Sequence, residues 1–224
     1  MVKQRFTQMT SFRNMALLWV VLIPGVALGD DVESLHVANV NFDFRPGWTL
    51  QLHTRVRTFE NLSAFNQYRL GPIVLWQAAP RFTVIGGYYY IDQNRRVIRK
   101  PYSLHRIFAG GQYRVLRGES WSVDARSAME RFISTGFTDY WRWRNRGMVT
   151  WKTRIGLPYA SGEALVQQGI WYGRYTGGMQ WKVSPKVTMG AGYEYRQAAV
   201  GPGSHIIATF FQWSAYTHTP PHVD

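Results

Sequence analysis

The stretch DYWRWRNRGMVTWKT, residues 139–153, alternates aromatic and basic side chains with a period of two. Trp141, Trp143 and Trp151 take odd positions, and the even positions carry Arg142, Arg144, Arg146 and Lys152. Successive side chains of a β-strand point to opposite faces, so this pattern predicts a strand with one aromatic and one basic face. A soluble sheet buries such an aromatic face in a core, whereas a membrane barrel turns it towards lipid.

Alternation of this kind recurs along the chain, whereas a helical period of 3.6 residues is hard to find. In WTLQLHTRVRT, residues 48–58, one face carries Trp, Leu and Val and the other carries Gln, His and Arg. Many candidate strands run for 10 to 13 residues, whereas globular strands average about five or six and membrane-spanning strands need about 9–11. We therefore predict an all-β chain, a single antiparallel up-and-down transmembrane β-barrel of 10–12 strands.

The count of candidate strands is eleven, an unusual number because single-chain bacterial barrels generally have an even one. The weakest candidate is EALVQQGIW, residues 163–171, which follows a predicted break at IGLPYASG, residues 155–162. Tight turns and longer loops tend to alternate, and aromatic residues gather towards strand ends, as in the interfacial girdles of membrane barrels. Those aromatic residues are Trp48, Tyr68, Trp121, Tyr140, Trp141, Tyr172, Trp213 and Tyr216.

The N-terminus has the layout of a secretory signal peptide, a basic leader followed by an apolar run. Ala27 and Gly29 take the minus-three and minus-one positions of a cut before Asp30, so we expect a signal peptide at residues 1–29 and a barrel domain at residues 30–224. The leader holds three of the 26 basic residues and none of the 13 acidic ones, which leaves the rest a net charge of +10. Export argues against a nucleic-acid partner and favours an anionic membrane surface.

Four stretches carry a resemblance to a known family: YRLGPIVLW with VIGGYYY, ARSAMERF, YWRWRNRGMVTW, and GRYTGGMQWKVSPKVTMGAGYEYR. Together they resemble a family of proteobacterial outer-membrane β-barrels known as a domain of unknown function. In that family an Arg-x-x-x-Glu-Arg-Phe strand precedes an arginine-alternating strand, and a later arginine opens a glycine-rich hairpin that ends in Gly-Tyr. The matching positions are Arg126, Glu130, Arg131 and Phe132, then Arg142, Arg144 and Arg146, then Arg174, Gly192 and Tyr193.

The resemblance covers roughly residues 48–216. The chain departs from the family in the short segment between Ser161 and Arg174, where the family has a longer strand pair. What the resemblance implies is a barrel fold and a location in the outer membrane of a Gram-negative cell. It implies no activity and no catalytic residues.

A set of charged residues is predicted to face the barrel lumen, because a charge on the lipid face near the midplane costs about 2–4 kcal/mol. The set comprises Arg55, Arg57, Arg126, Glu130, Arg142, Arg144, Arg146, Arg174 and Glu194. Lys152 falls on the same face as the arginines of its strand. The set admits two interpretations: a structural charge network in a filled interior, which we favour, or a porin-like narrow anion passage.

A second basic cluster lies in the stretch DQNRRVIRKP, at Arg95, Arg96, Arg99 and Lys100. On an external loop these residues suit the phosphates of lipopolysaccharide, and a merely solvated loop is the alternative. Membrane lipid is accordingly the partner that we expect.

Catalysis is the main alternative to a structural or pore function. Ser103 and His105 share one face, and Ser122 and Asp124 lie on the next strand, so these four are the candidates for a lipid hydrolase or acyltransferase. The chain has no Gly-x-Ser-x-Gly elbow, and we expect no enzymatic activity, no cofactor and no metal site. A soluble periplasmic barrel that binds an anionic ligand is the third hypothesis.

Overall fold

The computed structural model describes residues 31–59, 61–94, 101–197 and 203–216, so the predicted signal peptide lies outside the described residues. Within these described residues, eleven strands form one closed barrel. The strands are β1 Asp31–Arg45, β2 Trp48–Phe59, β3 Ala64–Ala79, β4 Phe82–Asn94, β5 Pro101–Arg117, β6 Trp121–Ser134, β7 Tyr140–Trp151, β8 Leu157–Gln167, β9 Ile170–Lys182, β10 Val187–Gln197 and β11 Ser204–Tyr216. Among the described residues, no helix is long and apolar enough to span a membrane.

The barrel confirms the predicted all-β up-and-down architecture, and its strand count falls within the predicted 10–12. Each strand pairs antiparallel with the next one in sequence, and β1 closes the barrel by pairing parallel with β11. This seam is the one parallel pairing in a barrel whose other described strand pairs are antiparallel. The reason is geometric, because the first and last of an odd number of alternating strands run in the same direction. Asp31 lies opposite Ser204, and Asp43 lies opposite Tyr216.

The predicted break at residues 155–162 is wrong, because Leu157 already begins β8 and the strand continues to Gln167. The weakest candidate strand, residues 163–171, is instead the second half of β8, a two-residue turn and the start of β9. Gln168 has φ 50° and Gly169 has φ 80°. Positive φ at both central residues is the geometry of a type I′ hairpin turn, which glycine and asparagine favour. Glutamine at the first position conceals this turn in the sequence.

The two rims of the barrel are named here after a glycine in one of their turns. The Gly47 rim holds the connections at residues 46–47, 80–81, 118–120, 152–156 and 183–186. The Gly169 rim holds those at residues 60–63, 95–100, 135–139, 168–169 and 198–203. The predicted asymmetry of short turns and longer loops is confirmed only in part, because residues 152–156 and 168–169 break it.

The aromatic face of the opening stretch points outward. Trp141, Trp143 and Trp151 are 57%, 47% and 43% exposed, while Arg142 and Arg144 on the alternate face contact carboxylates inside the barrel. Lys152 does not continue this face, because β7 ends at Trp151 and the lysine is exposed beyond it. The strand therefore has the orientation predicted for a membrane barrel.

An apolar core lines the inner wall from β3 to β6. It consists of Ile73, Ile85, Tyr89, Ile91, Leu104, Phe108 and Phe132. Glycine is required where β5 approaches β6, because a Cβ atom on Gly110 would lie 2.2 Å from the Ser127 carbonyl oxygen. Aliphatic and aromatic side chains thus pack together inside the barrel on the side formed by β3 to β6.

Candidate functional site

All nine residues predicted to line the lumen lie on the inward face of their strands. Residues that lie directly opposite each other in paired strands point to the same face of the sheet. Followed from strand to strand, this rule places all nine residues on the same face as Glu130, which is fully buried inside the barrel. The inward face also carries residues that the sequence analysis did not single out: Glu33, Arg69, Arg106 and Arg196. The interior is therefore a denser charge network than predicted.

Glu130 on β6 is the centre of this network, and its carboxylate is 0% exposed. Arg106 from β5 forms an ion pair with its Oε1 atom. From β7, the Nε and Nη2 atoms of Arg142 lie 2.7 and 2.6 Å from Oε2, which is a two-pronged contact. Arg144 approaches Oε1 at 3.9 Å. We call these four residues the Glu130 cluster, in which one buried carboxylate is shared among three guanidinium groups.

Aromatic rings complete the surroundings of the guanidinium groups. The Arg106 guanidinium carbon lies 5.0 Å from the ring centroids of Tyr89 and Phe108. Arg142 lies 4.6 Å from the Phe132 ring centroid. Cation–π contacts of this kind gain strength when water is excluded, so the apolar core and the Glu130 cluster stabilise each other.

The network continues around the barrel through Glu163 and Glu194. Glu163 on β8 pairs with Arg144, and its Oε2 atom lies 3.5 Å from Nη1 of Arg174 on β9. Glu194 on β10 accepts a hydrogen bond of 2.5 Å from Arg196 Nε. Beyond the parallel seam between β11 and β1, Glu33 on β1 pairs with Arg57 on the neighbouring strand β2. Charges from eight strands therefore contribute to this network.

Two pairs of arginines face each other with no carboxylate between them. Arg55 lies directly opposite Arg69 across β2 and β3, and Arg126 lies directly opposite Arg146 across β6 and β7. Within the described ranges none of these four forms an ion pair. The Nε atoms of Arg55, Arg69 and Arg126 are buried without a hydrogen-bond partner.

Positive charge is in excess on the inward face of the described strands. The arginines there are Arg55, Arg57, Arg69, Arg106, Arg114, Arg117, Arg126, Arg142, Arg144, Arg146, Arg174 and Arg196, and the carboxylates are Glu33, Asp43, Asp124, Glu130, Glu163 and Glu194. Twelve guanidinium groups therefore share this face with six carboxylates, so the interior attracts anions.

The four candidate catalytic residues are not brought together. Ser103 and His105 lie on the outward face of β5, where they contact Tyr90 and Tyr88 at 3.0 and 2.6 Å. Ser122 and Asp124 lie on the inward face of β6, with Ser122 opposite Arg117 at the far end of β5. His105 and Arg117 are separated by about 40 Å of strand at ~3.3 Å per residue. The barrel wall thus separates the two pairs.

Two further predictions concern loops and metals. The basic cluster Arg95, Arg96, Arg99 and Lys100 lies outside the described residues. Among the residues that the structure does describe, no group of three or more His, Cys, Asp or Glu side chains is placed to hold a metal ion.

The outward face carries two belts of aromatic residues. Near the Gly47 rim the belt consists of Phe42, Trp48, Trp76, Phe82, Tyr113, Trp121, Trp151, Trp181 and Trp213. Near the Gly169 rim it consists of Tyr68, Tyr88, Tyr90, Trp141, Trp143, Trp171, Tyr175, Tyr193 and Tyr195. Trp48 and Trp76 stack with ring centroids 5.3 Å apart. Every tryptophan of the described strands lies in one of these belts.

Between the belts, the outward face of the described strands carries no Asp, Glu, Lys or Arg. Exposed apolar side chains occupy this band, including Leu52, Leu70, Ile107 and Met129. In β7 the band runs from Trp143 to Trp151, which is about 20 Å at ~3.3 Å per residue and a strand tilt of ~40°.

Comparison with known proteins identifies the family of the chain. A family model described as "Protein of unknown function (DUF2490)" matches residues 34–205, which extends from β1 into β11. No curated protein and no solved structure matches the chain. The chain therefore belongs to this family, which confirms the resemblance to a family of unknown function.

Proposed function

We propose that this member of the DUF2490 family is an integral β-barrel of the Gram-negative outer membrane. Its role is structural and lipid-contacting, and its interior is occupied by a charge network instead of a wide water-filled pore. The carrying observation is the outer wall, where an uncharged apolar band lies between two aromatic belts. Membrane barrels have such a band, about 25 Å tall, with aromatic girdles at both interfaces.

The distribution of charge supports a lipid environment for the wall. A soluble barrel of this size has no reason to expose Leu52, Leu70 and Ile107 at 43%, 46% and 52% in one continuous band. In lipid the same side chains need no cover, and an arginine on this band costs about 2–4 kcal/mol at the midplane. The described strands keep their arginines inside except for two at the rims: Arg131, which lies beside Trp141 at the Gly169-rim belt, and Arg45, which ends β1 opposite Trp48 at the Gly47-rim belt.

The packing of the interior supports the structural role. Glu33, Glu130, Ile91, Leu165 and Ile206 come from five different strands, and each is at most 1% exposed. Water does not reach these side chains inside the barrel, and ion pairs join neighbouring strands. Removing one partner of a buried pair typically costs about 3–5 kcal/mol, so the network contributes strongly to the closed form.

Lipopolysaccharide is the partner that we propose for the outer surface. Its phosphates fit the basic residues Arg95, Arg96, Arg99 and Lys100, which follow β4 in the sequence. Its acyl chains fit the apolar band. This partner is an inference from charge and from the lipid-facing wall.

A narrow anion passage is the second candidate function, and the excess of inward-facing arginines favours it. The two candidates differ in conductance. For the structural barrel we expect no stable current steps in planar bilayers, whereas anion-selective steps that disappear in an Arg126→Gln variant would support the passage.

Cell fractionation of the full chain tests the proposal. We expect recovery in the outer-membrane fraction, resistance to extraction with carbonate, and a gel mobility that changes on boiling. Recovery in the soluble periplasmic fraction would overturn the proposal and leave the soluble anion-binding barrel. A His105→Ala variant provides the control for the hydrolase hypothesis, and we expect lipid turnover to be unchanged in it.

A further inference from the structure

The cross-strand pair Arg126–Arg146 places two positive charges side by side on the inward face of β6 and β7. Directly opposite residues have Cβ atoms about 4.5–5.5 Å apart, and like charges at this spacing are destabilising. The Nε atom of Arg126 is also buried without a hydrogen-bond partner. An unpaired buried donor carries a desolvation penalty. An anion that accepts hydrogen bonds from both guanidinium groups would offset the charge repulsion and satisfy the unpaired donor of Arg126.

The neighbouring carboxylates are engaged elsewhere. Asp124, two residues from Arg126, lies 3.3 Å from Arg114 Nε and 3.4 Å from Ser122 Oγ. Glu163 is the direct cross-strand neighbour of Arg146 on β8, yet its two oxygens contact Arg144 and Arg174. Glu130 belongs to the Glu130 cluster. Within the described residues no protein carboxylate therefore pairs with Arg126 or Arg146.

Small inward-facing residues lie beside the pair. Gly110 and Ala128 face each other on β5 and β6, directly next to Arg126 along the strand. Ser161 lies on the inward face of β8, two residues before Glu163. Both arginines are partly exposed, so solutes in the interior reach them. The other unpaired couple differs, because Arg69 donates to Gln67 at 3.3 Å and lies 5.1 Å from the Tyr89 ring centroid.

We propose that Arg126 and Arg146 form a binding site for a small oxyanion of the phosphate or sulfate type. A guanidinium group presents two parallel N–H donors that match two oxygens of such an ion. Two guanidinium groups side by side bind the ion from both flanks, and the ion neutralises their repulsion. The ligand is a free ion instead of a lipid head group, because the pair faces the interior and not the lipid wall. This site goes beyond the structural role proposed above.

Calorimetric titration of the detergent-solubilised full chain with inorganic phosphate tests the site. The variants are Arg126→Gln and Arg146→Gln, and Arg131→Gln is the matched control because Arg131 lies on the outward face of the same strand. We expect phosphate binding by the wild type and the control, and at least ten-fold weaker binding by either inner variant. Sodium chloride at the same ionic strength separates specific binding from screening.

Three results would overturn the site: no phosphate binding by the wild type, equal affinities of all variants, or displacement of phosphate by micellar short-chain phosphatidic acid. Displacement would mean that a lipid phosphate reaches the site and that the free-ion assignment is wrong. A boiling-dependent gel shift of every variant shows that the barrel is folded. The titration does not involve a membrane, so the site and the outer-membrane proposal fail independently.

Discussion

The Glu130 cluster, on β5, β6 and β7, and the Arg126–Arg146 pair, on β6 and β7, differ in how positive charge is balanced. In the cluster, three guanidinium groups share one carboxylate that is 0% exposed. Four residues along β6, two guanidinium groups face each other with no carboxylate partner among the described residues. The difference shows that a cross-strand position alone does not make an ion pair. The length and tilt of the side chains decide which carboxylate an arginine reaches.

The comparison also separates stability from binding. A carboxylate that is fully engaged by protein groups has no free oxygens for a ligand, and its arginines are fixed. Arginines without a carboxylate partner in the protein keep N–H donors available for a ligand. Without the ligand, the two guanidinium groups repel each other and the buried Nε donor of Arg126 stays unpaired. We therefore assign a structural role to the Glu130 cluster and a binding role to the pair. The predictions below test this division, from the largest expected effect to the smallest.

The Glu130→Ala substitution should have the largest effect. It removes the shared carboxylate and leaves Arg106 and Arg142 buried without their anion, so we expect a loss of about 3–5 kcal/mol in the free energy of unfolding. Urea unfolding in detergent, followed by tryptophan fluorescence, measures it. A loss below about 1 kcal/mol would contradict the structural role of the cluster.

The Leu52→Arg and Gln51→Arg substitutions compare the two faces of β2 at adjacent positions. Leu52 is 43% exposed on the outer band, so an arginine there should destabilise the barrel in lipid by about 2–4 kcal/mol. Gln51 faces inward beside Asn41, with an amide hydrogen bond of 2.9 Å, and an arginine there should lower stability by less than about 1.5 kcal/mol. Folding titrations in phospholipid vesicles measure both, and equal losses would remove the distinction between the faces.

The Arg126→Gln substitution should be stabilising in buffer without phosphate or sulfate. It removes one of two like charges at a cross-strand pair, which we expect to raise the free energy of unfolding by roughly 0.2–1 kcal/mol. Saturating phosphate should stabilise the wild type and reverse the order of the two proteins. Unfolding curves with and without phosphate measure both proteins. A wild type that remains less stable than the Arg126→Gln variant in phosphate would contradict the binding role of the pair.

The Arg131→Gln substitution should have the smallest effect. Its partner Asp139 lies 3.5 Å away, and both side chains are more than 40% exposed, so the ion pair contributes about 0–1 kcal/mol. The same unfolding measurement applies. A loss as large as that of the Glu130 variant would show that burial is not what distinguishes the two ion pairs.

Which side chains of a strand share a face was predictable from the sequence, because side chains alternate between the two faces whatever the pairing register of the strand. Trp141 and Arg142 necessarily point to opposite faces once their segment is a strand. The same reasoning applies to QYRLGPIVLW, residues 67–76, where Tyr68, Leu70 and Trp76 share one face and Arg69 falls on the other. Arg106 was not predictable in this way, because its strand carries Leu104 and Phe108 on the same inward face and has no contrast between faces.

The partners of the charged residues and the boundaries of β8 could not be predicted from the sequence. Glu163 lies opposite Arg146 in the strand ladder but contacts Arg144 and Arg174, and this choice depends on three-dimensional side-chain reach. The hairpin between β8 and β9 turns at Gln168, a residue that rarely adopts positive φ. At the other end of β8, Pro158, Ser161 and Gly162 are typical turn residues, but the strand continues through them.

The orientation of the tryptophans tests the central claim most directly, because every tryptophan of the described strands faces outward. The measurement is tryptophan fluorescence of the refolded full chain in vesicles of brominated phosphatidylcholine, compared with vesicles of the unbrominated lipid. Bromine quenches only tryptophans in contact with acyl chains, so we expect the larger part of the emission to be lost. Equal emission in both vesicles, from a folded barrel, would contradict a lipid-facing wall.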